Sequence, residues 1–185
     1  DRLTIVCRDR PGLFTRIAGV LALNGLDVLE ASVYTDGDLA IEEFRVVSAF
    51  TSEIPWRKVE RDLERTLLGR FALEPRLAER ARSYQRRRTT ARALEPKVRV
   101  LENEASDGAT VVEVIGPDRV GLLYGLTRAL ADLDLDILRA KIATMGNDVV
   151  DTFYVRDRSG RPITEEDDGP EIRTALLHVL QRTAS

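Results

Sequence analysis

A single histidine, His178, and a single cysteine, Cys7, leave this 185-residue chain short of the side chains that usually do metal or covalent chemistry. No second His or Cys can join His178 in a metal or acid–base set, so it reads as a helix residue, exposed or half-buried. Cys7 cannot form an intrachain disulfide, which fits a reducing compartment. No apolar run approaches the roughly twenty residues needed to span a bilayer, and no charged, apolar, small-residue leader opens the chain. There is no Walker loop, dinucleotide fingerprint, nucleophile elbow or Cys-X-X-Cys pair. A formal net charge of −3 with 32% charged residues points neither to nucleic acid nor to an anionic membrane. These absences predict a cytoplasmic protein with no nucleic-acid or membrane partner that binds rather than catalyses. The chain has no initiator Met and its first strand starts at once, so it is expected to be a fragment whose chemistry lies in a missing part.

What the chain does have, it has twice. Asp9-Arg10-Pro11-Gly12-Leu13 and Asp118-Arg119-Val120-Gly121-Leu122 head two stretches that align without a gap at an offset of 118 − 9 = 109. The register extends through Leu21/Leu130, Leu26/Leu135, Asp27/Asp136, Ala31/Ala140, Thr35/Thr144, Phe44/Phe153 and Val46/Val155. Such self-similarity marks two copies of one small domain.

Leu3 to Arg8 reads as a strand, after which Asp9 is expected to cap a helix starting near Gly12. Leu13, Ile17, Val20 and Leu21 make one apolar stripe of that helix, which ends at Asn24-Gly25. Alternation from Leu29 to Tyr34, a turn at Asp36-Gly37 and a strand from Ala40 to Val47 form a hairpin. Pro55 opens a further helix carrying Trp56, Val59, Leu63 and Leu67 before Gly69. The second copy repeats the order: strand 110–115, helix 120–133, strands 135–144 and 148–155 about Gly146-Asn147, and a helix near 168–182. The fold class is therefore α+β, two ferredoxin-like βαββαβ-type repeats with antiparallel sheets and helices on one face. Residues 1–73 form repeat 1, 74–96 an Arg-rich linker that also reads as helical, and 97–185 repeat 2. The candidate strand 97–103 is expected to hairpin onto strand 110–115, the alternative being that it closes repeat 1. In the linker, Arg76, Arg80, Arg82, Arg86, Arg87, Arg88 and Arg92 read either as a solvated helix face packed on Leu73, Leu77, Ala81 and Tyr84 or as a nucleic-acid patch, which Tyr84 alone could support by stacking.

The Asp-Arg-X-Gly turn can be purely structural, with Asp capping, Pro11 fixing φ and Gly12 allowing close approach. It can also present free helix N–H groups to a ligand carboxylate while Asp9 or Asp118 takes an ammonium, and an α-amino acid carries both groups. Asp27 and Asp136 sit at the start of a strand, where carboxylates fit poorly, at the same end as the turns. The candidate ligand-binding residues are thus Asp9, Arg10, Pro11, Gly12, Leu13, Asp27, Asp118, Arg119, Gly121, Leu122 and Asp136. There is no candidate catalytic residue and no metal set.

The stretch Asp9 to Leu13, with Phe14 and Arg16 to Ala22, resembles the opening of an ACT domain, the amino-acid-sensing ferredoxin-like module. The second copy, from Asp118 to Leu130 with Ala140 to Thr144 and Asp151 to Val155, resembles the C-terminal ACT pair of the bacterial PII uridylyltransferase/uridylyl-removing enzymes. The resemblance implies a glutamine sensor that biases a nucleotidyltransferase domain against a hydrolase domain elsewhere in the polypeptide. Mg2+ and a nucleoside triphosphate would serve the parent and no cofactor this chain. The implied partners are glutamine or a related amino acid, the parent's catalytic domains, the PII protein indirectly, and a second copy through the ACT sheets or helices. Abundant Arg, Ala, Asp and Leu leave adenylylation of PII open. Asp27 and Asp136 stand where the family commonly has Asn, and Val120 replaces the second turn's Pro, which is expected to loosen it. The alternative is a tandem ACT interaction or transcription-regulatory module without an enzymatic parent.

Overall fold

A computed structural model describes residues 1–49, 53–85, 94–102, 108–145 and 147–181 of the chain, with the side chains of Tyr84 and Gln85 left aside. Repeat 1 comprises β1 (Arg2–Arg8), α1 (Leu13–Leu23), β2 (Leu26–Asp36), β3 (Leu39–Ser48) and α2 (Trp56–Leu67). The connection forms α3 (Leu73–Gln85), and β4 (Lys97–Leu101) precedes repeat 2. Repeat 2 comprises β5 (Thr110–Pro117), α4 (Leu122–Asp132), β6 (Leu135–Met145), β7 (Asp148–Asp157) and α5 (Gly169–Gln181).

Alternation of apolar and polar residues gives each strand one buried face, and that shared face assembles the strands into one antiparallel sheet of order β1-β3-β2-β6-β7-β5-β4. β4 pairs with β5 from Lys97↔Ile115 to Leu101↔Val111. Asn103, the end of the candidate strand, lies outside the described residues. The two repeats join through β2 and β6, where Ala31 pairs with Ala140, flanked by Glu30↔Lys141 and Ser32↔Arg139. Since 31 + 109 = 140, equivalent alanines face each other and a local two-fold axis passes between them.

The helices cover one face, α1 on β2, α4 on β6 and α5 on β4 and β5, with α2 and α3 packed on α1. The apolar stripe of α1, Leu13, Ile17, Val20 and Leu21, is buried, as are Leu122, Leu126 and Leu130 of α4 and the equivalent pair Phe44 and Phe153. At the α1–α4 crossing Gly19 lets the helices close, because a Cβ there would stand 2.7 Å from Leu73 Cδ2 and 2.7 Å from Tyr124 Cδ2. The opposite face carries charged and aromatic cross-strand contacts, among them Arg45 with Glu30 at 3.4 Å and Arg139 over the Tyr154 ring at 3.9 Å.

The basic connection is not uniformly solvated. Leu73, Leu77 and Ala81 bury the inner side of α3, Glu74 pairs with Arg128 of α4 at 2.8 Å, and Arg76 stacks on Phe71 at 4.8 Å. Arg86, Arg87, Arg88 and Arg92 lie outside the described residues.

Candidate functional site

Each Asp-Arg-X-Gly turn folds the same way. Asp9 N–H donates to the Asp38 carbonyl and Asp118 N–H to the Asn147 carbonyl, both at 2.8 Å, fixing the turn to the neighbouring hairpin. Leu13 and Leu122 N–H then close on the Arg10 and Arg119 carbonyls. Gly12 and Gly121 have φ of 72° and 78°, a left-handed conformation that disfavours side chains. Val120 therefore makes the same turn as Pro11: these backbone bonds and the glycine set the geometry. The residue at the N-cap position of each helix is a glycine, which has no side chain to cap with.

The antiparallel β2–β6 join brings the start of β2 against the turn of the other repeat. A cavity of about 340 Å³ opens there, within the usual range for small-molecule sites of about 300–1,000 Å³. Ala18 and Ala22 of α1 and Asp27 of β2 line one side, while Asp118 to Leu123, Ile142, Thr144, Asn147 and Asp151 line the other. Arg80 reaches it from α3. Of the expected ligand residues, the structure groups Asp27, Asp118, Arg119, Gly121 and Leu122 here, with Asp27 from one repeat and the rest from the other. Asp136 correspondingly feels Asp9 across the two-fold axis. Each strand-start aspartate is thus set crosswise, against the turn of the other repeat. Leu13 belongs to the core, and Pro11 and Gly12 border a separate hollow beside Phe71 and Arg128. Arg10 is half-buried with its Nε unpartnered. Arg119 donates from Nη2 to the Val179 carbonyl at 2.6 Å, tying the turn to the last turns of α5.

The cavity gathers the carboxyls of Asp27, Asp118 and Asp151 with the guanidinium groups of Arg80 and Arg119. The surrounding atoms push the Asp27 carboxyl above its usual value although its edge meets solvent, and Asp118 adds repulsion. Asp136 is raised in the same way by burial and then Asp9, with Arg158 opposing. Two further carboxylates escaped the sequence reading. Asp151 is 1% exposed and Glu42 2% exposed, in the inward phase of β7 and β3 among Val149, Phe153, Ala40 and Phe44. They are equivalent by the repeat, since 42 + 109 = 151. Burial followed by Asp118 pushes Asp151 up to about 8, with a hydrogen bond from the Ala143 backbone opposing. Burial followed by Asp9 pushes Glu42 up to about 8. Asp151 Oδ1 and Glu42 Oε2 have no hydrogen-bond partner, an arrangement that costs stability unless something else uses it. The signal was available: a carboxylate in the apolar phase of a strand, present in both copies. No three or more His, Cys, Asp or Glu among the described residues are grouped so as to hold a metal ion.

A family model described as the ACT domain matches residues 2–55 and 110–167. The bifunctional uridylyltransferase/uridylyl-removing enzyme of Azospirillum brasilense is 39% identical over 184 residues, covering 96% of this chain and 20% of that protein. The proteins of the same name from Gluconobacter oxydans and Rhodospirillum rubrum are 37% and 36% identical, covering 95% and 99% of this chain and 19% and 20% of theirs. The chain therefore spans about a fifth of the length of the curated relatives it matches.

Proposed function

From the premise that this chain belongs to the ACT domain family, as a pair of ACT repeats, we propose that it is the amino-acid-sensing regulatory region of a uridylyltransferase/uridylyl-removing enzyme, with glutamine as ligand. The observation that carries this reading is the cavity shared by the repeats, in which the N-terminus of α4 stands beside Asp27, Asp118 and the buried Asp151, whose Oδ1 has no hydrogen-bond partner. The helix end suits a carboxylate and the aspartates suit an ammonium, the two charges every free α-amino acid carries. The relatives' shared name supplies the parent's two opposed activities, and PII is the protein on which the parent acts.

A ligand held crosswise favours the packing of the repeats that forms the cavity. That population shift is what catalytic domains of the same polypeptide would read. A thermal melt of the chain against L-glutamine and other amino acids, paired with calorimetry, tests the reading. Binding to the folded state raises the melting temperature, the stabilisation growing with the logarithm of ligand concentration over Kd once the site is saturated. A melt that does not move at saturating amino acid, with calorimetry equally silent, would leave the interaction module as the surviving reading.

A further inference from the structure

We propose that the outer edge of β1 seats an eighth strand of the sheet, supplied by the stretch of the parent polypeptide that leads into Asp1. The inference rests on the reading that the chain is one region of a longer parent, and not on what the cavity binds.

The two ends of the sheet are equivalent by the repeat but are finished differently. β5 corresponds to β1 at the offset of 109, and β4 covers its outer side, whereas β1 ends the sheet among the described residues. Val98 and Val100 of β4 pair with Val114 and Val112, and both of those β5 residues are 0% exposed. Their counterparts are Ile5 and Leu3, since 114 − 109 = 5 and 112 − 109 = 3, and these are only half-buried. The helix above differs in the same sense. Val59 and Leu63 of α2 are buried like Ile172 and Leu176 of α5, at a separation of 172 − 59 = 113, but Leu67 stays half-buried where Leu180 is 3% exposed. Repeat 1 thus lacks the apolar cover that β4 gives repeat 2.

The backbone agrees. Asp1 and Val46 exchange hydrogen bonds at 3.0 and 2.9 Å, and Asp9 N–H reaches the Asp38 carbonyl, so the odd-numbered residues of β1 face β3. Alternate residues of an antiparallel ladder direct N–H and C=O the other way. Here those are Arg2, Thr4, Val6 and Arg8, on an edge with no described neighbour, and such edges accept extended chain. The counterparts of the first three, Val111, Glu113 and Ile115, pair with Leu101, Arg99 and Lys97 of β4.

The repeat also says where the missing strand comes from. β4 lies thirteen to nine positions ahead of Thr110, since 110 − 97 = 13 and 110 − 101 = 9, and Asp1 corresponds to Thr110. The same places ahead of Asp1 belong to the parent polypeptide, and relatives about five times as long as this chain have the length to supply them. A second copy fits less well, because β1 paired with its own copy about Ile5 would set Arg2 opposite Arg8, like charges that destabilise a sheet. The connection from the parent's other domains thus enters the sensor as a strand, directly before the Asp9 turn.

The test is amide hydrogen exchange, read by NMR, in three proteins. They are the 185-residue chain, the chain preceded by at least thirteen residues of the parent's own upstream sequence, and the chain preceded by a copy of its residues 97–109. The Thr4 and Val6 amides should exchange fast in the first and at least about tenfold more slowly in the other two. Unchanged exchange at Val112 and Val114 reports that the fold is intact. Thr4 and Val6 amides left unprotected by the parent's stretch would overturn the proposal, whatever the copied strand does. Protection already present in the 185-residue chain and growing with its concentration would overturn it too, giving the edge to a second copy. Amino-acid titrations fail or succeed independently of either result.

Discussion

Asp151→Asn should make the unliganded protein more stable, and by considerably more at pH 7 than at pH 5. The unfolded chain loses this carboxyl's proton near its ordinary value of 3.8, whereas the folded chain keeps it to about 8. Between those values the folded state binds the extra proton, so stability falls as pH rises. The slope for one such group is about 1.4 kcal/mol per pH unit at most, or roughly 3 kcal/mol between pH 5 and pH 7. That is a large share of a typical domain stability of about 5–15 kcal/mol. Asparagine keeps the shape and an acceptor for the Ala143 N–H but never ionises, so this term vanishes. Glu42→Gln should do the same at the other junction. Opposing groups act elsewhere on the scale. Asp62, where hydrogen bonds from Lys58 and Asn24 outweigh burial, and Asp157, lowered to about 2 by Ser159 and Arg161, contribute stability that is lost only as pH falls through their lowered values. Urea melts at half-unit steps from pH 5 to pH 7, compared by midpoint at constant m, measure the difference. A variant curve running parallel to the parent's across that range would refute the assignment of a retained proton to Asp151.

Asp27→Ala should weaken amino-acid binding at least tenfold, the loss of one charged partner, while the unliganded melting temperature holds or rises because repulsion with Asp118 is relieved; a melt several degrees lower with unchanged affinity would make Asp27 structural. Gly19→Ala drives a methyl into Leu73 and Tyr124 and should cost about 1–3 kcal/mol, seen as a lower urea midpoint; a neutral result would mean that α1 and α4 are not held at this separation. Gly121→Ala forces a side chain to φ near 78° and should cost about 1–2 kcal/mol; an unchanged melt would mean that the turn does not need that conformation.

The repeat and its apolar periodicity made the elements legible, since Leu13, Ile17, Val20 and Leu21 can be buried together only on a helix, and Leu29 to Tyr34 alternate only as a strand. The joining of the two sheets was not legible. Ala31 and Ala140 are unremarkable strand residues, and nothing local says that they pair with each other rather than with solvent. The crosswise site follows from that pairing, so the sequence does not say which turn Asp27 meets. Glu42 and Asp151 lay in view but were masked by the apolar pattern around them, and Arg80 was hidden among arginines whose destinations depend on how α3 packs.

The alanine pair at the β2–β6 join has a bearing on ancestry. A protein holding one repeat could build this junction only by pairing with its own copy, and every such dimer would carry two identical pockets, so a substitution in one would fall equally on the other. Placing both halves in one chain while keeping the alanines face to face frees each pocket to drift separately. Ala49 and Arg158 illustrate that freedom: equivalent positions, since 158 − 109 = 49, small at one junction and a cation at the other, inside a sheet that still closes around the same axis.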